Sequence, residues 1–243
     1  MTDVSNANAD LCRFYKLVSR LEFFPNQGLR LNEYNGKAGL PFRGVYFFQE
    51  NGELRSSEPS VARIVRVGTH GVSQGSKATL WGRLKTHLGS RAGGGNHRGS
   101  IFRLHVGAAM LARDGNLIPS WGVGSSTPQI VRACAIAKAA EADWEQKVSK
   151  YIGAMSVFWV DVGDEPSPDS KRSVIERNAI ALLSHRLTPI DSPSSSWLGN
   201  YSPREQICRS GLWNLNYVGE TYTPSFLDDL ETAIEQMGKA GSQ

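Results

Sequence analysis

The 243-residue chain has no uninterrupted apolar run that approaches the roughly 20 residues of a membrane-spanning helix. Its N-terminus, "MTDVSNANADL", lacks a signal-peptide pattern. The three cysteines, Cys12, Cys134 and Cys208, are far apart and form no Cys-x-x-Cys pair. They suit a reducing compartment and give no support to a structural zinc site. We therefore expect a cytoplasmic protein with no membrane partner.

A long central segment, from Pro59 to Arg113, contains no Asp or Glu. The nine basic residues of this segment are Arg63, Arg66, Lys77, Arg83, Lys85, Arg91, Arg98, Arg103 and Arg113. The segment thus has a formal charge of +9, and the rest of the chain has 4 − 9 = −5. Such asymmetry favours a polyanionic partner, above all nucleic acid. The alternative is a solvated basic face whose acidic partners lie elsewhere in the fold.

Hydrophobic periodicity predicts an ordered series of elements. An amphipathic helix at "ADLCRFYKLVSRLEFF" precedes "GLPFRGVYFFQENGEL", which is predicted to be a strand that runs into a turn at Asn51-Gly52. A return strand at "VARIVRVGTH" and a helix at "SKATLWGRLKTHLG" come next. A large helical segment, a strand at "MSVFWVDV", a helix at "SPDSKRSVIERNAIALLSHR" and a closing helix at "TPSFLDDLETAIEQMG" follow. On the helix after the return strand, Arg83 and His87 are four residues apart and therefore share a face.

The ordered set "GVYFF…RIVRVGTH…TLWGRLKTHLG…GGGNHRGSIFR…VIERNAIALL…SWLGNYSP" resembles the GIY-YIG nuclease superfamily over about residues 42–201. The resemblance implies an α/β fold of the α+β type, with a small three-stranded antiparallel sheet flanked by helices. We divide the chain into an N-terminal extension (1–39), a nuclease-like domain (40–201) with a helical insertion at about 90–150, and a C-terminal helical extension (202–243). The resemblance also implies cleavage of DNA phosphodiester bonds with Mg²⁺ or Mn²⁺, and it leaves a homodimer open.

A literal Tyr151-Ile152-Gly153 occurs in the sequence, yet the predicted element order places it at the end of a helix. The family is named for two tripeptides, Gly-Ile-Tyr and Tyr-Ile-Gly, which are the two halves of its signature. The second half must lie on the strand paired with Gly44-Val45-Tyr46, the match to the first half. Residues 66–68, Arg-Val-Gly, occupy that place. We therefore interpret the literal tripeptide as a coincidence.

The resemblance assigns roles residue by residue. Tyr46 matches the first tyrosine of the family, Gly68 the glycine of the second half-signature, Arg83 the helix arginine and Glu176 the metal-binding glutamate. Asn200 is a weaker match to an asparagine in the loop after that glutamate. Arg66 stands where the family usually has its second tyrosine, so Arg66 or His70 could take over part of that role.

Phosphodiester cleavage needs an activated water and stabilisation of the charge that develops on the phosphate. A hard cation often takes one or two carboxylates, and Glu176 alone could anchor it. Arg83 offers bidentate geometry to a phosphate, and Tyr46 could accept a proton. His87 could orient the phosphate or the tyrosine. Contacts with the nucleic-acid backbone are predicted for Lys77, Lys85, Arg91, His97 and Arg98.

Three functions are compatible with these patterns. The first is a metal-dependent DNA endonuclease. The second is a nucleic-acid-binding module that has lost cleavage. This function is favoured by Arg66, which stands where the family usually has its second tyrosine. The third is an interaction protein whose basic face contacts an acidic protein.

Overall fold

The computed structural model describes residues 4–36, 39–90, 92–184 and 190–240. Its strands are β1 (Gly44–Leu54), β2 (Ala62–Gly68) and β3 (Ser156–Asp161). Its helices are α1 (Val4–Arg20), α2 (Leu80–Leu88), α3 (Ile101–Asp114), α4 (Gln129–Ala133), α5 (Ala135–Gly153), α6 (Lys171–Leu183), α7 (Glu205–Ser210) and α8 (Phe226–Ala240). None of the helices in the described ranges is long and apolar enough to cross a membrane.

The three strands form one antiparallel sheet in the order β2–β1–β3, which confirms the predicted fold class. Tyr46 in the central strand lies opposite Gly68 of β2 and Trp159 of β3. The strand with Arg66-Val67-Gly68 is therefore the direct partner of β1, as the element order predicts. Tyr151-Ile152-Gly153 ends α5, outside the sheet.

Side chains alternate between the two faces of the sheet, and a helical layer covers each face. Val45 and Phe47 pack in a cluster with residues of α1, α6 and α8. Tyr46 and Phe48 pack in a second cluster with residues of α2, α3 and α5. The first cluster contains residues from both sides of the domain boundaries predicted at 39/40 and 201/202. Those boundaries stay a prediction.

Four of the nine basic residues of the central segment are paired with carboxylates from outside it. The ion pairs are Arg63–Glu53, Arg98–Glu141, Arg103–Glu145 and Arg113–Asp114. The first three involve arginine side chains that are almost completely buried. Part of the sequence asymmetry thus reflects arginines whose partners lie outside the segment.

Glu145 is the centre of the most buried of these networks. One of its oxygens lies 2.9 Å from His97 Nδ1, and the other accepts hydrogen bonds from the Arg103 guanidinium. Burial alone would raise the pKa of Glu145, but the hydrogen bond from His97 and the charge of Arg103 hold that pKa below its usual value. The network fastens the loop before α3 to α5.

Replacement of Glu145 by Gln should destabilise the protein by about 3–5 kcal/mol, because Arg103 would keep a buried charge without a counterion. The measurement is urea unfolding at neutral pH. Asp114→Asn is the matched control, since its ion pair with Arg113 is partly exposed and should contribute no more than about 1 kcal/mol. Equal losses in the two variants would contradict a special role for burial.

His105 on α3 is buried, and its Nε2 has no hydrogen-bond partner among the described residues. Burial, together with the charges of Arg204 and Arg66, lowers the pKa of His105 to about 4. The folded protein therefore keeps this imidazole neutral well below the pH at which an unfolded chain protonates it.

Since only the unfolded state binds this proton between about pH 6.5 and pH 4, the free energy of unfolding should fall as the pH falls through that range. In His105→Gln the decrease should be shallower. Urea unfolding of both proteins at several pH values measures the difference. Parallel pH dependences would show that His105 does not contribute.

Candidate active site

Tyr46 of β1 lies directly opposite Gly68 of β2. A Cβ atom placed on Gly68 would lie 2.2 Å from the Tyr46 hydroxyl oxygen. The tyrosine side chain therefore crosses directly over the glycine, and any larger residue at position 68 would displace it. This contact is the physical reason why the tyrosine of one strand requires a glycine on the next.

The Tyr46 hydroxyl is held by α2. Its oxygen lies 2.9 Å from Nε2 of His87, and Nδ1 of His87 lies 2.8 Å from Oγ of Ser100. The imidazole is buried edge-on against the rings of Phe48 and Phe102. Burial, with the charges of nearby arginines, holds the pKa of His87 well below its usual value. His87 is therefore a neutral partner of Tyr46.

Arg66 lies on the same face of β2 as Gly68, two residues away. Its side chain is buried: Nη1 donates to the Trp213 carbonyl over 2.7 Å, and Cζ lies 4.6 Å from the centre of the Phe102 ring. Burial lowers the pKa of Arg66, while Tyr46 and Glu176 oppose this effect. Within the described ranges Arg66 forms no ion pair with a carboxylate, so a nearby anion would complement it.

Glu176 projects from α6 toward the end of β2. Its Oε1 accepts a hydrogen bond of 3.0 Å from the backbone N–H of Thr69, and the Thr69 hydroxyl donates to the Gly44 carbonyl over 2.8 Å. Burial raises the pKa of Glu176, while Thr69 and the charges of Arg66 and Arg83 partly offset this. The carboxylate is thus fixed by the residue that follows Gly68.

Beside this end of the sheet lies a cleft of about 410 Å³. It is lined by Thr69, His70, Gly71, Ala78, Thr79, Gly82, Arg83 and Thr86. Arg83 is half-buried there and has no carboxylate within ion-pair distance in the part of the chain that the structure describes. It is therefore a cation that a phosphate entering the cleft could meet.

His70 is buried at the wall of the cleft. Its Nε2 lies 3.1 Å from the Phe42 carbonyl oxygen, which can only accept, so Nε2 carries the proton. Burial, with the charge of Arg172, lowers the pKa of His70 to about 4. His70 is therefore neutral, and its Nδ1 has no partner among the residues described here.

The predicted backbone contacts differ in their placement. Lys77 is exposed and precedes Ala78 of the cleft. Lys85 is also exposed, but at about 100° per residue it lies on nearly the opposite side of α2 from Arg83. Arg91 lies outside the described residues.

His97 and Arg98 do not fit their predicted role as phosphate contacts, and we correct that assignment. His97 is stacked on Trp121, with its Nδ1 beside Glu145. Arg98 binds both oxygens of Glu141, over 2.9 and 2.7 Å. Both side chains are buried, because acidic residues of α5 fold back onto the loop that carries them.

The structure does not bring Asn200 to the cleft. Asn200 is exposed, and its Nδ2 donates to the carbonyls of Ser194 and Ser195. Ser194 in turn binds Glu53, near the opposite end of β1 from Gly44.

A different asparagine, Asn214, lies beside the site. Its side-chain amide donates to the Val67 carbonyl over 2.8 Å and accepts from the Val67 N–H over 3.1 Å. It thereby braces the peptide between Arg66 and Gly68. Sequence reasoning misses Asn214 because no local pattern relates it to a strand 147 residues away.

Glu176 is the residue of the cluster that could hold a metal. Oε1 is engaged by Thr69, and Oε2 makes no hydrogen bond to the described residues. No group of three or more His, Cys, Asp or Glu side chains suited to a metal occurs among those residues. A single desolvated carboxylate with one free oxygen fits Mg²⁺ or Mn²⁺, because such ions keep water and substrate oxygens as their other ligands.

Comparison with known proteins agrees with this arrangement. A family model described as the GIY-YIG domain matches residues 5–240. No curated protein and no solved structure matches the chain. Since the match spans almost the whole sequence and the sheet, Tyr46, Gly68 and Glu176 lie in the expected order, the chain belongs to the GIY-YIG family.

Proposed function

We propose that the protein is a metal-dependent endonuclease that hydrolyses DNA phosphodiester bonds. One observation carries the proposal: Tyr46, Arg66, Arg83 and Glu176 converge at one end of the β1–β2 pair in a chain of the GIY-YIG family. A cytoplasmic setting and a homodimer stay predictions.

Arg83 would bind the phosphate. Its guanidinium can form two parallel hydrogen bonds with phosphate oxygens, and no carboxylate of the described residues lies within ion-pair distance of it. Arg66 lies deeper and adds positive charge behind the same position. Together they would stabilise the additional negative charge of the transition state.

Glu176 would hold the divalent cation through the oxygen that Thr69 leaves free. When bound, such a cation polarises phosphate oxygens and offsets the charge on the leaving oxygen. The contribution of the chain is to keep the carboxylate in one orientation, because the Thr69 N–H fixes Oε1 and the Thr69 hydroxyl is itself fixed to Gly44.

Tyr46 would activate water. After its own proton has gone to solvent, the tyrosinate takes a proton from the attacking water. The water oxygen bonds to phosphorus as the bond from phosphorus to the leaving oxygen breaks, and that oxygen takes a proton from solvent. His87 holds the Tyr46 oxygen in place for this transfer.

A second function, a nucleic-acid-binding module without cleavage, has two observations in its favour. Tyr46 has 0% exposed surface, so an attacking water reaches its oxygen only if neighbouring side chains move. Arg66 also occupies the place of the usual second tyrosine. Metal-dependent turnover separates the two functions.

We expect purified protein to cleave supercoiled plasmid in Mg²⁺ or Mn²⁺ and Glu176→Gln to be slower by about 100-fold or more, the order of loss when one preorganised electrostatic group is removed. Open-circular and linear products distinguish nicking from double-strand cleavage. Glu205→Gln, which alters an exposed carboxylate paired with Arg209, is the matched control and should retain full activity. EDTA should abolish cleavage.

Binding to plasmid without cleavage in either metal would instead support the binding module. Cleavage that survives Glu176→Gln or EDTA would contradict the assigned metal ligand.

A comparison of variants at Lys77 and Lys85 tests where DNA runs along the protein surface. In EDTA, Lys77→Ala should reduce the slope of log Kd against log salt by about one, because one phosphate contact and its released counterion are lost. Lys85→Ala should leave the slope unchanged, since Lys85 is exposed but does not line the cleft. Equal reductions would show that DNA also contacts the side of α2 that carries Lys85.

A further inference from the structure

Three buried side chains form a hydrogen-bonded chain that begins in the helical segment and ends at the strand tyrosine. Ser100, His87 and Tyr46 are 1%, 0% and 0% exposed. Ser100 Oγ lies 2.8 Å from His87 Nδ1, and His87 Nε2 lies 2.9 Å from the Tyr46 oxygen. A neutral imidazole carries one proton, so the direction of these bonds depends on which nitrogen holds it.

The hydrogen bonds of Ser100, taken with the protonation of Tyr46, determine the direction. Ser100 is the N-cap of α3, and its Oγ accepts from the backbone N–H of Arg103 over 3.3 Å. Its own hydroxyl proton needs an acceptor, and among the described residues the acceptor at hydrogen-bonding distance is His87 Nδ1. Once Tyr46 is deprotonated, as the proposed mechanism requires, an Nε2–H imidazole gives each of these buried protons an acceptor, whereas an Nδ1–H imidazole would leave the serine proton without one.

We propose that Ser100 is a positioning residue that acts through His87: its hydroxyl donates to Nδ1 and thereby fixes His87 as an Nε2–H donor to the Tyr46 oxygen. The inference rests on the proposed nuclease function, in which Tyr46 accepts a proton from water. An N–H donor at 2.9 Å stabilises negative charge on that oxygen and leaves it an acceptor.

The surroundings of His87 agree with a donor rather than a base. The charged groups that act on the imidazole are Arg66, Arg83 and Arg103, and all of them disfavour an imidazolium. Phe48 and Phe102 pack against the ring on its other sides. A proton taken from Tyr46 would therefore be held poorly by His87, whereas a neutral N–H bond to the tyrosine is undisturbed.

The proposal also gives the segment between α2 and β3 a part in the site. Ser100 begins α3, so the position of that helix sets the hydroxyl against His87, thirteen residues earlier in the chain. The same helix supplies Phe102 to the ring contacts and Arg103 to the Glu145 network.

The test uses three variants of Ser100 in the full-length protein, with two readouts. Nitrogen NMR of the His87 ring identifies the protonated nitrogen, and plasmid cleavage gives the rate. Ser100→Ala removes the donor, Ser100→Thr keeps it, and Ser100→Asp keeps the helix cap but can only accept. Thermal unfolding monitors the cap, whose loss in Ser100→Ala should lower the unfolding temperature.

In the wild type and Ser100→Thr we expect the proton on Nε2 and similar cleavage rates. In Ser100→Asp the proton should move to Nδ1, and cleavage should fall by about 10-fold or more, the loss typical of groups that orient a reactive side chain. Ser100→Ala should lose a similar factor. Since Ser100→Asp retains the cap, its loss cannot be attributed to a frayed helix.

A wild-type ring protonated on Nδ1 would overturn the inference, and so would an Ser100→Asp variant with unchanged protonation and rate. If the wild type cleaves nothing, the proposed function fails, while the NMR comparison of wild type with Ser100→Asp still decides whether Ser100 sets the His87 proton.

Discussion

The contact between Tyr46 and Gly68 is the constraint on which the site depends. Because a side chain at position 68 would occupy the space of the tyrosine oxygen, the register of β1 and β2 and the position of Tyr46 are set together. That register puts Arg66 on the same face as Tyr46. It also places the Thr69 N–H where it meets Glu176 of α6. The pairing of β1 and β2 thus sets the positions of the proposed water-activating, phosphate-binding and metal-binding groups.

The arginines divide into two groups by the partners they have. Those of the central segment that pin loops and helices, Arg63, Arg98 and Arg103, are buried against carboxylates and stabilise the fold. Arg66 and Arg83, by contrast, have no carboxylate within ion-pair distance among the described residues. An unneutralised cation beside a cleft is costly in the free protein and becomes favourable when an anion binds. The distribution of carboxylates therefore separates structural from proposed functional arginines.

Positioning and access oppose each other at Tyr46. The helices between α2 and β3 enclose its side chain, and this enclosure makes the bonds from Ser100 through His87 well defined in a dry environment. The same enclosure leaves the tyrosine no exposed surface. The buried Arg66, held by Trp213 and Phe102, forms part of that surrounding.

Local patterns by themselves determined the strands, their order, the helix with Arg83 and His87 on one face, and the pairing of Arg66-Val67-Gly68 with β1, because periodicity and spacing encode which face a side chain takes. Tertiary structure alone decided which charges are free. Arg98 and His97 meet Glu141 and Glu145, more than forty residues away, and Asn214 rather than Asn200 reaches β2. A charge count along a segment carries no record of the carboxylates that other helices bring to it, since those contacts arise only when the chain packs.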